Sequence, residues 1–307
     1  MRLAAIPILL AWPALAQQNS RLPSILARVS EESEVFAKIA PQVVATETLH
    51  QRALPTGQRR SPDDAGAEKT ASPRMAEREI VSQYGFASLR EAPGAIREFR
   101  QVISVDGREL AAPALAHQTL AAGLASGDDR QKKKMLETFE KYGLIGTASD
   151  FGQVLLLFTK RRLENYAFEL SGSARLGAEA VLVVSFRQNS GPEALTIFEK
   201  GKTFHQSLQG QCWVRESDLV PLRIALTTVR TGKHQPLTRD EATVDYTPSP
   251  HGVVLPAAIV HREFRDGTLV VENIFQYSSF KKFTVASKIE FTEENGAAGP
   301  PARIPLP

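Results

Sequence analysis

The chain has 307 residues and one cysteine, with 37 basic and 34 acidic side chains and a formal net charge of +3. That length supplies one large or two small buried cores, and the lone Cys212 excludes an intramolecular disulfide framework. So slight a basic surplus excludes a general nucleic-acid-binding face. The runs Lys132-Lys133-Lys134, Lys160-Arg161-Arg162 and Lys281-Lys282 lack the aromatic or glycine pattern of nucleic-acid readers and read as solvated faces.

The N-terminus has the layout of a secretory signal peptide. Arg2 is a positive n-region, residues 3–15 are mostly apolar, and Ala14-Leu15-Ala16 places small residues at −3 and −1 before Gln17. Cleavage is expected after Ala16, with a periplasmic or secreted location. No cysteine follows the cleavage point for lipid attachment. No other stretch approaches the roughly 18 apolar residues a spanning helix needs, so no transmembrane anchor is expected.

Residues 22–40 repeat apolar side chains at helical spacing (Leu22, Ile25, Leu26, Val29, Phe36, Ile39), and Pro41 stops the helix. Residues 43–49 alternate as a strand. Residues 54–74 hold three prolines, two glycines and many charges, a composition that predicts a disordered loop. Strands follow over 78–87 and 97–105, the second closed by the turn pair Asp106-Gly107. Residues 111–125 and 130–142 read as helices, with Gly127-Asp128-Asp129 capping the second and Gly143 ending it. Val154-Leu155-Leu156-Leu157-Phe158 is apolar all round and therefore buried. Ser149 or Asp150 as a cap favours a short helix there over a strand.

Beyond residue 163 the pattern is sheet. Strands over 163–170 and 178–187 pair across residues 171–174, and 194–198 adds a short strand. A hairpin of 209–215 with 220–229 turns at Ser217-Asp218, residues 242–246 form a further strand, and 253–264 pairs with 268–277 across Asp266-Gly267. The predicted fold is α+β: one large curved, mostly antiparallel sheet, a half-barrel of about eleven strands, covered by a few helices. Helix 22–40 and segment 154–158 are the natural covers. Residues 17–291 form one domain, and 292–307 a disordered tail.

No GxSxG, phosphate loop, GxGxxG, HExxH or CxxC is present, and the six histidines show no metal-ligand spacing, so neither cofactor nor metal is expected. His205 with Cys212, and His261 with Glu263, are the pairs with catalytic chemistry. Each has a plainer role, Cys212 as a small core residue and His261 with Glu263 as a surface charge pair. Asp240-Glu241 suits a strand edge. The other candidate feature is apolar: Val220, Leu222, Ile224 and Leu226 share one strand face. With Trp213, and with Leu155 and Phe158 from the buried segment, they are candidates to line a hydrophobic-ligand cavity or to fill it as core.

Residues 210–283 carry a Gly, a Trp-Val pair, a turn and an Arg-bearing strand: Gly210, Trp213-Val214, Ser217-Asp218, Leu222-Arg223-Ile224. Gly252-Val253-Val254-Leu255-Pro256 follows a strand ending at Tyr246. This pattern resembles the LolA-like periplasmic lipoprotein-carrier half-barrel superfamily. A second resemblance, to uncharacterised secreted bacterial proteins, rests on Arg97-Glu98-Phe99-Arg100, Val105-Asp106-Gly107 and the stretch from Tyr277 to Phe283. The carrier resemblance implies a fold and a lipid or lipoprotein partner without naming a cargo. The expected function is a non-enzymatic periplasmic or secreted protein binding such a ligand in the concave face. The alternative is an envelope scaffold that binds other proteins and keeps a closed core.

Overall fold

The alternation that predicts strands also predicts which side of each strand is buried, and the register shows how these sides join. A computed structural model describes residues 13–54, 75–88, 96–126, 130, 134–135, 137–138, 150–189, 195–199, 202–230 and 237–282. In chain order, helix α1 (Pro13–Ile39) precedes β1 (Val43–Ala53), β2 (Ala76–Ser88), β3 (Ile96–Val105), β4 (Arg108–Glu109) and helix α2 (Pro113–Ser126). The 3-10 helix Val154–Phe158 and a single helical turn, Lys160–Leu163, come next. Then follow β5 (Tyr166–Leu176), β6 (Glu179–Gln188), β7 (Leu195–Glu199), β8 (Lys202–Gln206), β9 (Gln209–Arg215), β10 (Pro221–Arg230), β11 (Thr238–Pro248), β12 (Val254–Arg265) and β13 (Thr268–Lys282).

Eleven of these strands form one curved, unclosed antiparallel sheet in the order β4-β3-β2-β1-β13-β12-β11-β10-β9-β6-β5, and β7-β8 is a separate ribbon. The α+β half-barrel is therefore the fold. One line of register crosses ten strands: Val105, Ile80, Leu49, Phe275, Ile259, Val244, Ile224, Cys212, Val184 and Leu170. All ten are buried, which marks the inner face. Because side chains alternate, a one-residue slip anywhere would turn that strand's apolar set outward, so the row fixes the whole sheet.

Helix α1 covers the inner face with Ile25, Val29 and Phe36, beside the 3-10 helix. Helix α2 covers the opposite, outer face over β2 and β3, where Leu120 and Leu124 meet Val44, Ala87 and Phe99. Gly85 permits that approach, since an added Cβ would lie 3.0 Å from Leu124 Cδ1.

Several expectations change. The β5–β6 turn falls at Gly177, whose φ of +60° suits it, and residues 171–174 lie inside β5 beyond an irregularity between Leu170 and Gly172. The 3-10 helix is entered at Gln153 without a side-chain cap, so Asp150 does not cap it. Strand β8 was not expected. Leu54, placed in the predicted loop, is buried with Ala53, Val270 and Val271, and its N–H donates to Val270 O at 2.9 Å. The rest of that loop, Asp128-Asp129, Gly143, Ser149 and the predicted tail lie outside the described residues. Asp106-Gly107 and Asp266-Gly267 turn as expected, all four residues at positive φ.

Candidate functional site

The inner face of the sheet is where sequence placed a ligand, and residues 151–158 occupy it. All five residues of Val154–Phe158 are at most 5% exposed. Three elements hold this plug by directed bonds. Ser33 Oγ of α1 donates to Leu155 O at 2.8 Å. Tyr246 of β11 accepts from Leu155 N–H at 3.1 Å and donates to Gly152 O at 3.2 Å. Burial pushes the Tyr246 phenol well above its usual range, so it keeps the proton it donates. Glu98 of β3 accepts from Gly152 N–H at 2.5 Å. A Cβ on Gly152 would lie 2.6 Å from Tyr84 Oη and 2.9 Å from Glu98 Oε1, so any larger residue here would have to displace these buried groups.

Glu98 belongs to a buried ionic cluster. Arg100 Nε donates to both Glu47 oxygens at 2.8 and 2.9 Å, and Arg100 Nη2 donates to Glu98 Oε2 at 2.7 Å. The guanidinium also lies over the rings of Tyr84 and Phe275, 5.1 and 5.4 Å from their centroids. Two carboxylates share one guanidinium away from water. Burial chiefly, opposed by Arg100 and reinforced by Asp150 and Glu47, pushes the Glu98 carboxyl up to about 7.

A second polar group occupies the row beside the apolar one. Gln51 Nε2 donates to Asn273 Oδ1 at 2.6 Å, which turns Asn273 Nδ2 towards His261 Nδ1 at 3.3 Å. His261 Nε2, 3.2 Å from Asp240 Oδ1, then carries the ring proton, and Arg230 Nη2 reaches Asp240 Oδ2 at 3.4 Å. Phe151 of the plug covers the imidazole, ring centroids 4.7 Å apart. This chain of bonds pins strand to strand. It is a scaffold of mutually bonded groups.

The sequence-predicted catalytic pairs are redistributed. His261 and Glu263 are buried on the inner face, not a surface pair, and Glu263 bonds Arg265 at 2.7 Å. Asp240 is buried on an interior strand, not at a strand edge. Cys212 faces the core and its burial pushes the thiol well above its usual range. Among the described residues no group of three or more His, Cys, Asp or Glu side chains is arranged to hold a metal ion.

Leu155, Phe158, Val220, Ile224 and Leu226 all belong to the inner core, and Leu222 is buried at the irregularity between Pro221 and Arg223. Trp213 points the other way. It neighbours Cys212, which opposes Ile224, so alternation sends the indole to the outer face opposite Arg223. Sequence reasoning missed Glu47, Glu98 and Arg100. Their one signal was charge at inward positions of otherwise apolar strands.

On the outer face a recess of about 660 Å³ lies over β5, β6, β9 and β10. Its floor is small, at Ala167, Gly210 and Ala225, and Glu169, Ser185, Arg187, Gln209, Gln211 and Thr227 surround it. Gly210 itself alternates to the inner side opposite Phe186 and Leu226, where an added Cβ would overlap the Ala225 carbonyl oxygen and crowd the Phe186 ring.

No family model and no curated protein sequence matches the chain. Solved structures do. A DUF1329 family protein from Desulfovibrio piger aligns at 10% identity over 85% of this chain and 92% of that one, TM-score 0.34. A LolA superfamily protein from Nitrosomonas europaea aligns at 12% identity over 85% and 93%, TM-score 0.28. The MucA/MucB complex of Pseudomonas aeruginosa gives 12% identity over 83% and 98%, TM-score 0.20. These alignments extend well beyond the C-terminal half on which the carrier resemblance was read.

Proposed function

We propose that the chain is a non-enzymatic, exported envelope protein that binds a protein partner through its outer surface. Its concave face is closed by its own residues 151–158. The observation that carries this reading is the plug: Val154–Phe158 fill the space a guest would need, and side chains from α1, β3 and β11 fasten the plug backbone. The recess over β5, β6, β9 and β10 is the surface proposed for the partner, its Arg187 and Glu169 offering charge beside the amides of Gln209 and Gln211. Residues 1–16 are proposed as the signal peptide. The described buried residues of α1 begin at Ile25, so cleavage after Ala16 removes none of them.

Native mass spectrometry of the exported protein tests this directly. The expected mass begins at Gln17 and carries no acyl adduct, and a fluorescent lipid probe is not retained. A photocrosslinker at Arg187 is expected to trap a protein partner, whereas one at Gln276, on the same face but outside the recess, is not. Recovery of a bound lipid would overturn the closed-core reading. It would restore the carrier reading, in which Leu155 and Phe158 move off Val220, Leu222, Ile224 and Leu226 to admit an acyl chain.

A further inference from the structure

The plug crosses the gap that leaves the sheet unclosed. Gly152 at its start is bonded to Glu98 of β3, near one edge of the sheet. Phe158 at its end packs against Phe168 of β5 and Phe186 of β6, at the other edge. The five residues of the 3-10 helix between them rise only about 10 Å. A long side chain from each margin can therefore meet its counterpart across the plug.

Both margins offer arginines. Arg97 precedes Glu98 on β3, is partly buried, and has Asp150 at 3.8 Å, too far for a close bidentate pair. Arg161 and Arg162 lie in the helical turn that leaves the plug, Arg161 exposed and Arg162 half-buried. Arg162 thus departs from the solvated face read for Lys160-Arg161-Arg162. Burial, and then the charges of Arg161 and Arg97, hold its guanidinium below the usual range. Among the described residues only the Tyr166 phenol acts the other way. Of the carboxylates on neighbouring segments, Asp150 lies at Arg97, Glu34 accepts the Lys160 N–H at 3.1 Å, and Glu164 is exposed. Half-buried like charges with no acid between them are unfavourable alone, and a bound anion would offset them.

We infer that Arg97 and Arg162, aided by Arg161, bind a phosphate group over the end of the plug, where the two edges of the sheet come nearest. A phosphate offers three acceptor oxygens and up to about two charges, enough to serve two guanidinium forks at once. A single carboxylate is filled by one fork. Free phosphate and a phosphate monoester present the same oxygens, so both are probes of the site.

The test is isothermal titration of the exported protein with inorganic phosphate and, separately, with glycerol 3-phosphate, at fixed ionic strength. At least one is expected to bind one-to-one, and the tighter of the two names the source. Arg162→Gln and Arg97→Gln should each weaken that binding about tenfold or more. Arg162→Lys keeps the charge without the fork and should recover part of it. Arg175→Gln, at the far end of β5, should change nothing. Without phosphate, Arg162→Gln is expected to melt at or above the wild-type temperature, because it removes a half-buried charge set beside like charges. A residue kept only for the fold would melt lower when lost, and that outcome would overturn the inference. So would failure of both ligands to bind, binding that Arg162→Gln leaves intact, or an equal loss in Arg175→Gln.

Discussion

The two covers of the sheet are attached by different physics. The inner plug is held by hydrogen bonds from Ser33, Tyr246 and Glu98 to its backbone, and behind Glu98 stands a buried ionic cluster. The outer cover, α2, rests chiefly on apolar contacts of Leu120 and Leu124 and on the space left by Gly85, with one long polar contact, His117 Nδ1 to Gln83 Oε1 at 3.4 Å. Directed bonds specify one position and are costly to break singly, because each lost partner strands a buried polar group. Apolar contacts specify position less sharply and fail in proportion to the volume removed. The inner cover is therefore built as a fixed part of the core, and the outer one as a layer added to it.

Substitutions can break or sharpen this contrast, and the largest effect is expected at Arg100. Arg100→Met leaves Glu47 and Glu98 buried without their cation and should cost about 3–5 kcal/mol, read as a lowered urea midpoint. Next is Leu120→Ala in the outer cover, expected to cost about 2–3 kcal/mol by urea unfolding, with the inner face unchanged. Smaller is a pH effect on the inner cover alone. The Glu98 carboxyl is raised in the fold to about 7 from its usual 4.5. The folded protein therefore holds the proton more tightly than the unfolded chain. That contribution is fully present below about pH 4.5 and lost as pH rises through about 7. Thermal melting should show wild-type stability declining across that window relative to Glu98→Gln, whose profile is flatter there. Leu120→Ala should keep the wild-type slope. Smallest is Ser33→Ala, which removes one bond to the plug and should cost about 1 kcal/mol by the same unfolding measurement.

Much of this architecture was legible as pattern. The strand face of β10, the turns at Asp106-Gly107 and Asp266-Gly267, and the burial of Val154–Phe158 follow from alternation, positive-φ residues and all-round apolarity. What pattern could not carry was partnership across long sequence separation. Glu98 reads as an ordinary strand glutamate until β3 brings it under Gly152, and Asp240 reads as edge charge until β12 sets His261 beside it. Trp213 was misplaced for a related reason. Its neighbour Cys212 holds the inward position opposite Ile224, and register rather than residue type decides which of the two is buried. Segment 171–174 was read as a turn because of its small residues, but Gly177 offered the better one.

Cys212 sits in mid-sheet on the inner row, fully buried opposite Ile224 and Val184. Being the chain's one thiol, it makes the molecule its own stopwatch for opening. A cysteine-reactive reagent can modify it only after the inner face has parted, so the alkylation rate counts those excursions. Followed beside global unfolding, that rate tells a plug that lifts by itself from one that leaves only when the whole sheet comes apart.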